Sequence, residues 1–293
     1  MTTELIHFGD QLAWMDGRII PSKDATLHVL THGLHYGSCV FEGERAYDGV
    51  VFKSRAHSER LHSSANILDF DLPYSVDALE AAKADIIKAN GGGSKYVRAV
   101  AWRGGEKMMA ISAQQNDIHV AIATWTWPSM FDPAEKMRGI KLDIADYRRP
   151  DPACAPSFAK AAGLYMICTI SKHRAERKGY ADALMFDYQG RVAECTGANV
   201  FFIQDGKVHT PIADCFLSGI TRATVVELAG KRGLEVVERR ILPEELGSFS
   251  ECFITGSAAE VTPVREIAGT HYQPGRITET LLTDYANLVR NVA

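Results

Sequence analysis

The chain has 293 residues, of which 46% are hydrophobic and 23% charged, and its formal net charge is −4. This composition is typical of a soluble globular protein, and the length suits two domains or one large one. No run of lysine or arginine exceeds a pair, so a nucleic-acid or anionic-membrane surface is not indicated and a small-molecule partner is favoured.

The N-terminal sequence and the cysteines indicate a cellular compartment. The start, MTTELIHFGDQ, lacks the apolar core of a signal peptide, and charges interrupt every apolar stretch before it could span a membrane. Six cysteines are scattered without a C-x-x-C pair. We therefore expect a cytoplasmic protein with reduced thiols.

Strand patterns alternate with helical ones in the first part of the chain. Apolar, β-branched and aromatic residues surround turn signals in the segments 12–21, 43–52 and 119–127. Helical spacing predicts helices over 54–68 and 75–90, the second with Ser75 as its N-cap. These elements predict an α+β unit.

A segment rich in proline, PSMFDPAEKMRG (128–139), favours a break between two domains. We expect a smaller N-terminal domain at 1–128, a linker at 129–138, and a larger C-terminal domain at 139–293 that carries Lys160.

The second part repeats the mixture of strands and helices. The strands are predicted at 140–147, 182–211 and 251–257, and the helices near 160–178, 221–232 and 278–291. Strand and helix do not alternate regularly, which favours mixed or antiparallel sheets with flanking helices over a doubly wound fold. Neither a G-x-G-x-x-G motif nor a G-x-x-x-x-G-K-[ST] motif is present, so neither a Rossmann dinucleotide site nor a P-loop is expected.

A single lysine, Lys160, stands among small and apolar residues in PSFAKAAGLY (156–165). Burial lowers the pKa of a lysine, and the neutral amine then attacks carbonyl groups. A lysine whose amine reaches solvent from the start of a helix explains the same segment. The residue alone therefore does not decide between the two.

Three further segments carry groups that could bind an anion or a cofactor. In LSGITRATVVELAG (217–230), Gly219 and Thr221 precede a helix whose first N–H groups could bind a phosphate, although a plain threonine cap fits equally. Gly256, Ser257 and Ala258 are small residues that could let a ligand approach the backbone, and a tight exit from a strand explains them as well. Glu194 and Asn199 lie on an otherwise apolar strand pair, where a buried carboxylate needs a partner and an exposed one does not.

Together, a lysine nucleophile, phosphate donors at a helix start and an inward carboxylate are the groups that a pyridoxal 5′-phosphate enzyme requires. Seven blocks in order strengthen this interpretation: HVLTHGLHYGSCVFEGERAYDG, ERLHSSA, KYVR, KAAGLY, AECTGANVFF, LSGITR and GSAAEVTPV. With them the chain resembles the class IV, or fold type IV, pyridoxal-phosphate aminotransferases, and among these most closely the branched-chain amino-acid aminotransferases. The resemblance implies a two-domain fold like that of D-amino-acid aminotransferases.

The resemblance also implies roles at the cofactor. Lys160 matches the Schiff-base lysine, Tyr165 the tyrosine at the phenolic oxygen, and Glu194 the partner of the pyridine nitrogen. Arg60 matches the phosphate-binding arginine, and Leu217 the residue that packs on the ring. The remaining positions matched to the cofactor are Gly219, Ile220, Thr221, Gly256 and Ser257.

For the substrate, the resemblance implies a carboxylate site and an apolar pocket. Tyr96 and Arg98 match residues near the α-carboxylate and the acidic side chain of glutamate, with backbone donors at Ser257 and Ala258. The side chains matched to the apolar pocket are Tyr36, Phe41, Trp127 and Tyr165, and Tyr36 partly serves the neighbouring subunit's site.

The implied function is transamination between a branched-chain L-amino acid and 2-oxoglutarate by a ping-pong mechanism, in a homodimer or higher homo-oligomer. Three departures leave substrate alternatives open: charges at Arg103, Glu106 and Lys107, Leu164 where the family has asparagine, and LSGIT in place of LPGIT. The same fold also serves (R)-selective amine transaminases, D-amino-acid aminotransferases and an aminodeoxychorismate lyase, and the charges at 103–107 keep the amine transaminase open. A catalytically silent homologue is a further alternative. The pair His32 and His35 lacks a third ligand, so no metal is expected.

Overall fold

The computed structural model describes residues 11–127 and 133–290. By their internal contacts these residues divide into two compact units. The first unit contains the described residues up to 127 together with Ala159–Gly163, and the second contains 133–158 and 164–290. Of the linker expected at 129–138, residues 129–132 lie outside the described residues.

An antiparallel sheet of seven strands and three helices builds the first unit. The strands are β1 (Leu12–Met15), β2 (Arg18–Pro21), β3 (Cys39–Phe41), β4 (Glu44–Tyr47), β5 (Val50–Val51), β6 (Lys95–Arg103) and β7 (Ile118–Thr126). The helices are α1 (His32–Tyr36), α2 (Ser54–Ile67) and α3 (Val76–Ala89). The sheet order is β2-β1-β7-β6-β4-β5, and β3 also pairs with β6.

The core of this unit forms where helices cover the sheet. Leu61 of α2 and Leu79 and Ile86 of α3 are buried with Val97 and Ile122 of the sheet. Burying an aliphatic side chain of this size contributes about 2 kcal/mol. The predicted cap of α3 is confirmed, because Ser75 Oγ accepts a hydrogen bond from the Ala78 N–H at 3.2 Å.

A mixed sheet of nine strands and four helices builds the second unit. The strands are β8 (Ile140–Ile144), β9 (Asp182–Phe186), β10 (Val192–Cys195), β11 (Asn199–Gln204), β12 (Lys207–Pro211), β13 (Val236–Arg239), β14 (Glu251–Gly256), β15 (Glu260–Ile267) and β16 (Thr270–His271). The helices are α4 (Pro133–Lys136), α5 (Tyr165–Arg177), α6 (Ile220–Lys231) and α7 (Arg276–Arg290). The order is β10-β9-β8-β15-β14-β11-β12-β13, with β16 beside β15.

The expected α+β class with mixed and antiparallel sheets is confirmed. Parallel pairs join β8 to β9, β8 to β15 and β12 to β13, and the other pairs are antiparallel. The sequence did not predict β15, whose Pro263 argues against a central strand. The structure accommodates that proline next to a register shift between Val264 and Glu266. None of the helices in the described part of the chain combines the length and the apolar character needed to cross a membrane.

The segment around Lys160 differs from its expected place. The predicted helix from 160 begins only at Tyr165, after a single 3₁₀ turn at Ala162–Leu164. Ala161 instead forms an isolated antiparallel bridge with Val40. This bridge explains why Lys160 groups with the first unit, although we expected it in the C-terminal domain.

Candidate active site

Lys160 is fixed through its own backbone within the first unit. Its N–H donates to Ser64 Oγ on α2 at 2.9 Å, and its carbonyl accepts from the Phe41 N–H at 3.1 Å. The ammonium nitrogen lies 5.1 Å from the centre of the Phe41 ring. A helix and a strand therefore set the position of the lysine, while the small neighbours Ala159 and Ala161 are buried.

Arg60 lies on the same face of α2 as Ser64, one turn away, and is bound by a buried carboxylate. Its Nε and Nη2 donate to the two oxygens of Glu42 at 2.6 and 2.8 Å. His57 Nδ1 donates to the same carboxylate at 2.7 Å. This paired, planar contact orients the guanidinium group.

Glu42 remains ionised in this setting. Burial alone would raise the pKa of the Glu42 carboxyl, but the charge of Arg60 and the hydrogen bonds from Arg60 and His57 outweigh it and hold the pKa well below its usual range. The sequence analysis missed Glu42. Its signal was the first glutamate of FEGE, which directly follows β3 and its buried Val40.

An aromatic cluster brings together four of the residues that the sequence analysis matched to the substrate. The Arg98 guanidinium lies 4.6 Å from the Phe41 ring and 5.5 Å from the Tyr96 ring. The Tyr96 ring in turn lies 5.2 Å from that of Trp127. Tyr96 and Arg98 alternate along β6 and therefore point to one face of the sheet.

This cluster and Lys160 share one ring, because the Phe41 ring contacts both the Lys160 ammonium and the Arg98 guanidinium. Trp125, which the sequence analysis missed, stacks on Tyr96 at 4.6 Å. Its signal was the alternation of WTW, which places Trp125 and Trp127 on the same side of the chain.

His32 has a structural role. Its Nδ1 is 3.0 Å from Ser38 Oγ, and its Nε2 is 3.0 Å from the Ala110 carbonyl oxygen. These bonds join α1 to the segment after β6. Tyr36 at the end of α1 is exposed, and its ring contacts that of His32 at 4.7 Å.

The charges of the 103–107 loop are paired inside the chain. Arg103 is buried and donates to the carbonyl oxygens of Ala113 and Asp69, both at 3.0 Å. Lys107 contacts Asp117 at 2.9 Å. Each of these charges therefore has a partner other than a substrate.

Glu106, the third charge, contacts His119 Nε2 at 2.7 Å, and Asp16 contacts Nδ1 of the same ring at 2.6 Å. Burial alone would lower the pKa of His119, but the two carboxylates outweigh it and raise that pKa. The imidazolium form is thereby favoured, and it joins the loop to the turn between β1 and β2.

Arg149 and Asn199 are side-chain partners of Glu194 within the second unit. It lies on β10, where Arg149 Nε is 3.3 Å from Oε1 and Asn199 Nδ2 is 3.3 Å from Oε2. Arg149 is 4% exposed. A guanidinium at this distance in a buried place favours the ionised carboxylate. The sequence analysis did not single out Arg149, which follows an arginine in YRRP and offered no distinguishing pattern.

The start of α6 does not match the alternative of a plain threonine cap. Gly219 is the N-cap, Thr221 is buried in the first turn, and no described side chain caps the helix. Asn199 sets the preceding loop, because its Nδ2 donates to the Leu217 carbonyl at 2.9 Å and its Oδ1 accepts from the Gly219 N–H at 3.0 Å. The first turn thus presents backbone N–H groups at the positive end of the helix, an arrangement that can bind a phosphate.

Some of the residues matched to the cofactor and the substrate contact one another, and others lie at the ends of helices and strands. In the second unit, Asn199 joins Glu194, Leu217 and Gly219. Tyr165 is the first residue of α5, Gly256 is the last residue of β14, and Ser257 and Ala258 form the turn that follows.

Comparison with known proteins identifies the family. The model of the class IV amino-transferases matches residues 39–267. A probable branched-chain-amino-acid aminotransferase of Rickettsia felis is 40% identical over 281 residues, which are 94% of this chain and 95% of that relative.

Solved structures agree with this assignment. The branched-chain amino acid aminotransferase of T.th. with pyridoxamine 5′-phosphate superimposes with a TM-score of 0.93 at 33% identity, over 98% of this chain and 97% of that one. The same enzyme with N-(5′-phosphopyridoxyl)-L-glutamate gives 0.92 at 32% identity, over 98% and 96%. The chain therefore belongs to the class IV aminotransferase family.

Proposed function

We propose that this pyridoxal-phosphate-dependent transaminase takes branched-chain L-amino acids as donors and 2-oxoglutarate as acceptor, in the two half-reactions of a ping-pong cycle. The observation that carries the proposal is that one side chain, the Phe41 ring, contacts both the Lys160 amine and the Arg98 guanidinium. An apolar ring for an aliphatic side chain and a cation for the second carboxylate of glutamate thus lie beside the same lysine.

The residues present fit pyridoxal phosphate. When bound, this cofactor supplies a reactive carbonyl carbon and a ring that accepts electrons. Lys160 would hold it covalently and then move the proton at the substrate Cα. The ionised Glu194 would hold a proton on the ring nitrogen. Arg60 and the start of α6 would bind the phosphate, one through charge and the other through backbone N–H groups.

The substrate assignment follows from the aromatic cluster and from the relatives. Phe41, Tyr96 and Trp127 present ring surfaces that suit a branched aliphatic side chain. A hydrophobic pocket that also accepts glutamate needs a cation for the second carboxylate, and Arg98 supplies one. In support, the relatives from Rickettsia felis and T.th. are named as branched-chain enzymes, and one complex of the latter holds a phosphopyridoxyl derivative of L-glutamate.

The charged loop no longer favours an amine without a carboxylate. Glu106 and Lys107 contact His119 and Asp117, so their charges already have partners within the chain. The (R)-amine alternative therefore loses the feature that favoured it.

The test is a set of half-reactions with Arg98→Met beside the unsubstituted enzyme, followed by the loss of absorbance of the lysine-bound cofactor. The unsubstituted enzyme should convert with L-leucine and L-glutamate, and should react poorly with D-alanine and an (R)-arylamine. Arg98→Met should lower kcat/KM for L-glutamate by roughly 10- to 100-fold, because a charge-assisted contact is worth about 1.5–3 kcal/mol. L-leucine should change by about threefold or less.

Lys95→Met serves as the control, since Lys95 lies on the same strand β6 and contacts the exposed Thr126. Conversion with D-alanine or the arylamine but not with L-leucine would overturn the donor assignment. Equal losses for both L-substrates in Arg98→Met would overturn the role of Arg98.

We infer further that the chain works as a homodimer through an apolar surface of the first unit. Two segments expose large apolar side chains there, and His32 joins them through the Ala110 carbonyl. The side chains are Leu27, Val29, Leu30, Leu34, Tyr36, Met108, Met109 and Ile111. Ile111 is 85% and Leu34 is 65% exposed, and contiguous exposure of this kind marks an interface. A second copy is the occupant that the place of Tyr36 in the family resemblance implies.

Leu34→Glu should convert dimers to monomers in sedimentation velocity, raising the dimer dissociation constant by about 100-fold, because a buried unpaired charge costs several kcal/mol. Val50→Glu is the control, since Val50 is also exposed but lies on β5. A monomeric unsubstituted protein, or an unchanged dimer in Leu34→Glu, would contradict the assignment.

A further inference from the structure

We propose that Asn199 is a positioning residue that holds the phosphate-binding loop before α6 in register with the Glu194 carboxylate. The proposal rests on the proposed cofactor roles of Glu194 and of residues 217–221. In this proposal Asn199 contacts neither the ring nor the phosphate of the cofactor. It sets the distance between the Glu194 carboxylate and the loop that would contact them.

The contacts of this one side chain carry the proposal. Asn199 Nδ2 lies 3.3 Å from Glu194 Oε2 and 2.9 Å from the Leu217 carbonyl oxygen. Its Oδ1 accepts from the Gly219 N–H at 3.0 Å. One buried amide therefore bonds both to the carboxylate matched to the ring nitrogen and to two backbone groups of the loop matched to the phosphate.

The backbone of Asn199 adds a third connection. Asn199 is the first residue of β11, and it pairs with Thr255 of β14. The next residue after Thr255 is Gly256, which begins another segment matched to the cofactor. Three of the cofactor-matched segments, on β10, in the loop before α6 and at the end of β14, thus meet at Asn199.

Only an amide satisfies these partners. The carboxylate and the carbonyl both require a donor, and the Gly219 N–H requires an acceptor, so the orientation of the amide is determined. An aspartate has the same shape but no N–H, and it would place a second anion beside Glu194. The amide also explains the glycine, because a methyl group at Gly219 would overlap Asn199 Oδ1.

The experiment measures the dissociation constant of pyridoxal phosphate for the holoenzyme and its Asn199→Asp variant, by ultrafiltration and absorbance. We expect at least a tenfold weaker binding in Asn199→Asp, since the loop is no longer tied to Glu194. The thermal midpoint is measured in parallel, because a residue with a structural role alone would lower the midpoint without weakening cofactor binding.

Asn90→Asp is a closely matched control. Asn90 also makes three hydrogen bonds, with Oδ1 accepting from Leu12 N and Nδ2 donating to the Leu12 carbonyl and to Thr124 Oγ1. It lies in the first unit at the end of α3. Asn90→Asp should lower the thermal midpoint comparably and leave cofactor binding within twofold.

Equal binding in the two aspartate variants would overturn the role of Asn199. Absence of bound pyridoxal phosphate from the unsubstituted protein would instead overturn the proposed function. If Asn199→Asp does not fold, Gly219→Ala tests the same contact from the loop. The φ of Gly219, −66°, is one that alanine adopts, and the added methyl group would displace Asn199 Oδ1. Unchanged cofactor binding in Gly219→Ala would then overturn the proposal.

Discussion

Replacing Lys160 with alanine is expected to abolish transamination, with a fall in kcat of more than about 10³-fold. The substitution removes both the amine that holds the cofactor and the base that moves the proton at Cα, and each contribution is large. The backbone contacts of residue 160 with Ser64 and Phe41 do not involve the lost side chain, so the fold should persist. The measurement is borohydride reduction followed by peptide mass analysis, together with steady-state kinetics.

Lys172→Ala is the control for this substitution. Lys172 lies on α5 and makes an exposed ion pair with Glu176, so its loss should leave turnover within about twofold. A reduced cofactor adduct on another lysine, accompanied by turnover within tenfold of normal in Lys160→Ala, would contradict the assignment.

The second large effect is expected from Glu194→Gln, which should lower kcat by about 10²- to 10³-fold. Glutamine keeps the shape and a hydrogen bond but cannot supply the negative charge that holds a proton on the ring nitrogen. The change also leaves the buried Arg149 without its anion at 3.3 Å. We therefore expect a lower thermal midpoint as well, because an unpaired buried charge destabilises the fold.

Two further variants separate the chemical effect from the structural one. Arg149→Met combined with Glu194→Gln removes both charges, so the thermal midpoint should recover while kcat stays low. Glu235→Gln alters an exposed carboxylate paired with Lys207 and should change neither quantity. Recovery of kcat along with the midpoint in the double variant would show that Glu194 has no direct role.

Much of the local structure was accessible from sequence patterns. The helix at α3 with its Ser75 cap and the hairpin of β1 and β2 follow from spacing and turn residues that act over a few positions. Boundaries that depend on distant partners were less accessible. The helix expected from 160 begins at Tyr165 because Ala161 pairs with Val40, which is far away in the chain.

The candidate site divides in the same way. The amino-acid order was enough to identify the family and to nominate Lys160 and Glu194 as candidate site residues, because these residues stand in ordered motifs such as KAAGLY and AECTGANVFF. Their supporting partners were not visible: Glu42 at Arg60, Arg149 at Glu194, and the three hydrogen bonds of Asn199.

These partners became known only from the folded chain, since a buried charge or amide is satisfied by whichever group the fold brings within hydrogen-bond distance. The charges of the 103–107 loop show the same dependence. They suggested an unusual substrate from the sequence, and the fold pairs Glu106 with His119 and Lys107 with Asp117. Ordered motifs of residue types indicate the chemistry of the family. Long-range contacts decide which charged side chains are paired within the chain and which can serve that chemistry.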